Sequence, residues 1–251
     1  MKLKELVNYL NKELTISDFE GIDISLNGLQ VGDESRQVKK IAFAVDACQT
    51  TINAAVKQHY DLLIVHHGLF WGKPLAITGP HLNRVKTLIE NNLSLYACHL
   101  PLDASPLYGN NIEMAKLLKL DHIKGFGQYH SKNIGYSGIL PTALTPEELI
   151  EKLGVDKKNV KLLSFGKKTI KSVAIISGSD PYEVSVALTE GLDAYITGVG
   201  IHEIFHTAEE GKINMVCLGH YASETFGVKA LKALLEQQDF DTVFIDVPTN
   251  L

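Results

Sequence analysis

Leu3, Leu6, Val7, Leu10 and Leu14 recur at helical spacing, so the chain opens with an amphipathic helix. A stretch rich in Gly, Asn and Asp follows, containing Asn27-Gly28-Leu29-Gln30-Val31-Gly32. Short apolar runs then alternate with helical patterns. Ile41–Val45, Leu62–Val65 and Leu95–Cys98 read as buried strands. Gln49–Gln58, Leu82–Asn91 and Asn110–Leu118 read as helices. This alternation predicts βαβ units with mostly parallel pairing.

Between Gly125 and Lys171 the pattern changes: Gly and Lys dominate around a strand-like Ile134–Leu140. A helix over Pro146–Leu153 follows, with Thr145 and Glu148 spaced as a capping box. The earlier grammar then returns. Ile41–Gly68 and Val173–Gly200 align without a gap, setting Ala42 on Ala174, Ala55 on Ala187, Asp61 on Asp193 and Ile64 on Ile196. A strand over Met215–Leu218, a helix over Thr225–Gln237 and a strand over Thr242–Val247 complete the chain. The expected fold is α/β, with residues 1–124 plus 225–251 in a first lobe and 125–224 in a second, similar one. Two such lobes place a site in the cleft between them.

At 251 residues, 45% hydrophobic and 21% charged, the composition is that of a globular protein. A net charge of -5 gives no case for nucleic-acid binding. Lys152, Lys157, Lys158, Lys161, Lys167, Lys168 and Lys171 crowd one segment. No aromatics interleave with them as a base-stacking surface needs, so they read as a solvated face. Cys48, Cys98 and Cys217 form no CxxC pair, which fits a reducing compartment. No apolar run is long enough to span a bilayer, and the charged start Met1-Lys2-Leu3-Lys4-Glu5 is unlike a signal sequence. The expected location is the cytoplasm.

Three strands end in candidate chemistry. His66-His67-Gly68-Leu69-Phe70-Trp71 follows the first, His99-Leu100-Pro101-Leu102-Asp103 the second, and Gly219-His220-Tyr221-Ala222-Ser223-Glu224 the third. Sites in α/β sheets form outside the carboxyl ends of strands. His66, His67, Asp103, His220 and Glu224 are therefore expected to hold two divalent ions, with His99 as an outer support or weak ligand. Neighbouring side chains on a strand point to opposite faces, but a bend at the strand end lets both imidazoles face one cavity. Mixed nitrogen and oxygen donors without thiolate suit Zn, Mn, Fe or Ni and do not select among them. His202-Glu203-Ile204-Phe205-His206 matches the zincin pattern HExxH. Its helix is short and Thr207-Ala208-Glu209-Glu210 replaces the metzincin continuation, so a peptidase is the minor reading. His206 is expected to face the cleft.

Taken together, these motifs and Asn27-Gly28-Leu29-Gln30-Val31-Gly32 resemble the GTP cyclohydrolase I type 2 homologs, the Ngg-interacting-factor-three-like family, over essentially the whole chain. Ile24-Ser25-Leu26 stands where many members carry Trp-Asp, and the extra domain of longer members is absent. The resemblance implies interlocked lobes, a dinuclear metal site and a toroidal homohexamer. It implies that His67 and Asp103 hold one ion, His66 and His220 the other, and that Glu224 bridges. The expected activity is hydrolytic opening of a purine nucleotide such as GTP by metal-bound hydroxide, with Glu224 fixing the ion separation and His99 or His206 shuttling protons. The alternative is a metal-binding or regulatory ring without turnover.

Overall fold

The opening pattern forms helix α1 (Leu3–Glu13), which buries Leu3, Leu6, Val7 and Leu10. In the computed structural model, which describes residues 1–251, the chain continues through β1 (Gly28–Val31), β2 (Lys40–Asp46), α2 (Gln49–Lys57), β3 (Leu62–His67), α3 (Gly79–Glu90), β4 (Ser94–Ala97) and α4 (Leu100–Ala104). Next come α5 (Asn110–Leu117), β5 (Asp121–Tyr129), β6 (Lys132–Leu144), α6 (Pro146–Leu153), β7 (Lys161–Ser164), β8 (Ile170–Ile176), α7 (Val184–Thr189), β9 (Ala194–Thr197), α8 (Phe205–Gly211) and β10 (Asn214–Cys217). A single helical turn, α9 (His220–Ser223), precedes α10 (Thr225–Glu236) and β11 (Asp241–Phe244).

The chain divides into two compact units, one of Met1–Tyr108 with Gly227–Val247 and one of Gly109–Phe226 with Pro248–Leu251. Thus α5, grouped from sequence with the first lobe, belongs to the second unit. Its Ile112, Met114 and Ala115 are buried with Leu140, Leu149 and Val173.

The first unit holds a five-stranded sheet in the order β1-β4-β3-β2-β11. Its four strands β4, β3, β2 and β11 run parallel, and β1 pairs antiparallel with β4 at the edge. Ala42, Leu63, Val65 and Leu95 pack under Ile52 of α2 and Leu88 of α3. The second unit holds six strands in the order β5-β6-β8-β9-β10-β7. Here β8, β9 and β10 run parallel, while the β5–β6 hairpin and β7 add antiparallel edges.

The internal repeat extends to strand register. Ala42 stands opposite Leu63 in the first unit, and Ala174 opposite Tyr195 in the second. The aligned aspartates do the same work. Asp61 Oδ2 accepts hydrogen bonds from the Lys39 and Lys40 amides, at 2.9 and 3.0 Å. Asp193 Oδ2 accepts them from the Lys171 and Ser172 amides, at 2.8 and 3.0 Å. Each carboxylate thereby ties the start of one strand to the start of its parallel neighbour. The repeat weakens at the third strand. Ala97 faces Val65 and Cys217 faces Thr197, so these two residues are equivalent. His99 lies two residues beyond the first and His220 three beyond the second, so the two His-acid spacings are one step out of register.

Candidate metal centre

Three imidazoles of the first unit converge. His66 and His67 end β3, and their ring centroids are 4.7 Å apart. Both residues are still within the strand, with His67 opposite Asp46 of β2, and their rings are tilted 49° to one another. His99 follows β4, with its ring 5.2 Å from that of His66 and 5.7 Å from that of His67. One ring nitrogen of each can be chosen so that all three lie within 4.8 Å of one another.

Each ring is held from behind by an oxygen acceptor. His66 Nδ1 is 2.9 Å from the Cys98 carbonyl oxygen, His67 Nδ1 is 2.8 Å from Asp46 Oδ1, and His99 Nδ1 is 2.9 Å from Asp23 Oδ1. A carbonyl only accepts, so His66 donates through Nδ1–H, the tautomer that makes Nε2 the ligand atom in a neutral imidazole. The carboxylates favour the same tautomer in His67 and His99. Oxygen acceptors behind imidazoles are the usual outer support of metal-binding histidines.

Asp103, on α4, brings an oxygen to this group. Its Oδ2 lies 3.4 Å from His66 Nε2. Two donors about 2.0–2.2 Å from one tetrahedral ion stand roughly 3.4 Å apart, so this spacing suits a shared cation. His66 is fully buried and Asp103 nearly so, which leaves the pair little competing water.

In the second unit, Gly219 turns the chain out of the β10 strand with φ 94°, a conformation suited to glycine. His220 opens α9 and Glu224 closes it, with His220 Nε2 3.1 Å from Glu224 Oε1. Glu224 is buried at 3% exposure. Two glycines admit this turn. A Cβ on Gly178 would lie 2.4 Å from Glu224 Oε1, and one on Gly198 would lie 2.6 Å from Ser223 Oγ. Ser223 Oγ accepts the Gly178 amide at 2.9 Å, and the His220 amide donates to the Leu251 carbonyl at 2.6 Å.

The HExxH stretch is not built for metal. A 3-10 turn covers His202–Ile204, and α8 starts only at Phe205, so the two histidines do not share an α-helical face. Both are exposed. His206 pairs with Glu209 Oε2 at 3.1 Å on the solvent side of α8. The expected inward role for His206 gives way to a surface ion pair. The Lys-rich segment also behaves as a solvated face: Lys157 pairs with Glu151, Lys167 with Asp193, and Lys171 with main-chain carbonyls.

Two supporting acids escaped the sequence reading. Asp23 and Asp46 lie in a loop and at a strand end, with no motif to mark them. Burial pushes the Asp23 carboxyl up, but hydrogen bonds from His99, Asn27 and Ser25 outweigh it and hold the group below its ordinary range. The Asn-Gly-Leu-Gln motif turns out to be the brace for these histidines. Asn27 Oδ1 accepts the His99 amide at 2.7 Å, and Gln30 Oε1 accepts the Leu69 amide at 2.7 Å. Gly68 leaves room for Gln30, since a Cβ there would lie 2.3 Å from its Nε2. Cys98 is fully buried, and desolvation together with Asp103 and Asp23 raises its thiol well above normal, which argues against a thiolate ligand.

Imidazole nitrogens with carboxylate oxygens, mutually close and tied from behind, fit a divalent transition metal. The Duf34/NIF3 (NGG1p interacting factor 3) family matches residues 1–250. A protein of Archaeoglobus fulgidus named GTP cyclohydrolase 1 type 2 homolog is 42% identical over all of both chains. The crystal structure of TTHA1606 from Thermus thermophilus is 37% identical, with a TM-score of 0.87 over all of both chains. Reduced HcgD from Methanocaldococcus jannaschii is 28% identical, with a TM-score of 0.85 over 98% of each chain.

Proposed function

Because this chain belongs to the Duf34/NIF3 (NGG1p interacting factor 3) family, we propose that it is a metal-dependent hydrolase using two divalent cations held by His66, His67, Asp103, His220 and Glu224. The supporting observation is the convergence of three imidazoles, each with Nδ1 on an oxygen acceptor. Relatives named GTP cyclohydrolase 1 type 2 homolog make a purine nucleotide the first substrate class to test. Divalent ions in such a donor set polarise an electrophile and acidify bound water toward neutrality.

The chain's own residues divide the remaining work. His66 and Asp103 present a nitrogen and an oxygen at ligand spacing. Glu224, buried beside His220, offers two oxygens and can bridge. His99 is half-buried, and Asp23 holds its Nδ1 so that Nε2 is free to take or give a proton. Proton transfer is assigned to His99 alone, since His206 is bound at the surface. The homohexamer implied by the resemblance is part of this proposal, and light scattering on the intact protein tests it.

The direct test is a metal-reconstituted assay of GTP, phosphoesters and cyclic amides, reading formate release and ring opening. Turnover that disappears in both Glu224→Gln and His67→Ala supports the hydrolase. If every substrate stays intact while Glu224→Gln only lowers metal content, the non-catalytic metal-binding alternative replaces it.

A further inference from the structure

Trp71 is the chain's single tryptophan, and it stands against the imidazole cluster. Its ring centroid is 5.1 Å from that of His99, edge to face, and 5.9 Å from that of His67. The indole N–H donates to the Gly68 carbonyl at 3.1 Å. That bond uses the side chain's only polar group and fixes the ring, so what remains to offer a ligand is apolar π surface.

The backbone holds this ring firmly. Trp71 bridges to buried Ser25, and the Leu26 amide donates to the Phe70 carbonyl at 3.0 Å. Gly72, with φ 54°, turns the chain directly past Ile24, where an added Cβ would stand 3.4 Å from the Ile24 side chain. Ile24 and Leu26 are 63% and 52% exposed. A half-buried indole is thus held in place beside the imidazole cluster.

We propose that Trp71 is a stacking subsite for a planar heteroaromatic ring of the ligand. This deepens the hydrolase reading and rests on it for the fate of the ring, but stacking itself needs no cation. An indole face accepts any flat π system, which suits recognition of a base. A sugar phosphate without a ring gains nothing there.

The test titrates the intact protein, metal-loaded and metal-stripped, with guanosine and with ribose 5-phosphate, reading the single tryptophan's fluorescence. Calorimetry supplies affinities for Trp71→Leu and Trp71→Phe. Saturable quenching by guanosine alone, in both metal states, is expected. Trp71→Leu should bind guanosine roughly five- to hundred-fold more weakly, the range of a lost stacking contact, while Trp71→Phe recovers most of the affinity. Equal binding by wild type and Trp71→Leu, no saturable quenching, or equal quenching by ribose 5-phosphate overturns the subsite. Quenching without any metal-dependent turnover keeps the subsite and removes the hydrolase; turnover whose KM is indifferent to Trp71→Leu does the reverse.

Discussion

Asp46 shows how much a site depends on residues that never touch its ligand. Its carboxylate sets the ring of His67 by one hydrogen bond of 2.8 Å. Asp46→Asn should weaken metal binding about 10- to 100-fold, as loss of such outer support typically does, and chelator competition measures it. Asp23 yields a pH prediction. Its folded carboxyl lies below the ordinary range, so its stabilisation is complete above the unfolded value of 3.8 and is lost as pH falls through the folded one. Asp23→Asn should therefore be less stable than wild type in urea at pH 7, and the gap should narrow below about pH 4. The histidines and acids of the three strand-end motifs were legible because strand ends in α/β sheets are where ligands bind. Asp23 and Asp46 were not, because a lone aspartate in a loop or at a strand end has the same local signature whether it supports a histidine or meets water.

Elements follow the same division. The βαβ segments were readable because their apolar runs and helical spacing agree with their burial, and even the register of the repeat follows from the alignment of Asp61 with Asp193. In the β5–β6 hairpin, Ile134–Leu140 of β6 read as strand-like but β5 was hidden. Gly125 and Gly127 in β5, with Gly135 and Gly138 in β6, weaken the strand signal, since glycine disfavours strands. The structure shows why two of them are there: a Cβ on Gly135 would lie 2.3 Å from the Ile175 carbonyl, and one on Gly127 would lie 2.2 Å from Ile176 Cδ1. Close approach to β8, a tertiary demand, overrides local preference. The capping box of α6 was a local signal and it forms, with the Glu148 amide donating to Thr145 Oγ1 at 3.2 Å and the reverse bond at 2.8 Å. Thr145→Ala should cost about 1 kcal/mol and lower the melting temperature, readable by calorimetry.

At the scale of the whole molecule, no helix is long and apolar enough to cross a membrane. The thiols give a simple probe of the fold. Cys98 and Cys217 are buried, and burial pushes the Cys217 thiol up to about 11, against a minor lowering by Lys161. Cys48 is partly exposed. The native protein should take up one equivalent of a thiol reagent at pH 8 and three after denaturation; rapid reaction of all three in the native state would contradict the packing. The donor residues lie far apart in sequence, and their use as one set is the premise of the function proposed here. Elemental analysis of the intact protein after metal reconstitution tests it. Two ions per chain are expected in wild type and in His202→Ala, falling to one or fewer in His66→Ala, Asp103→Asn and His220→Ala. Two ions retained in all three of those variants, or less than one in wild type at saturating metal, would contradict it.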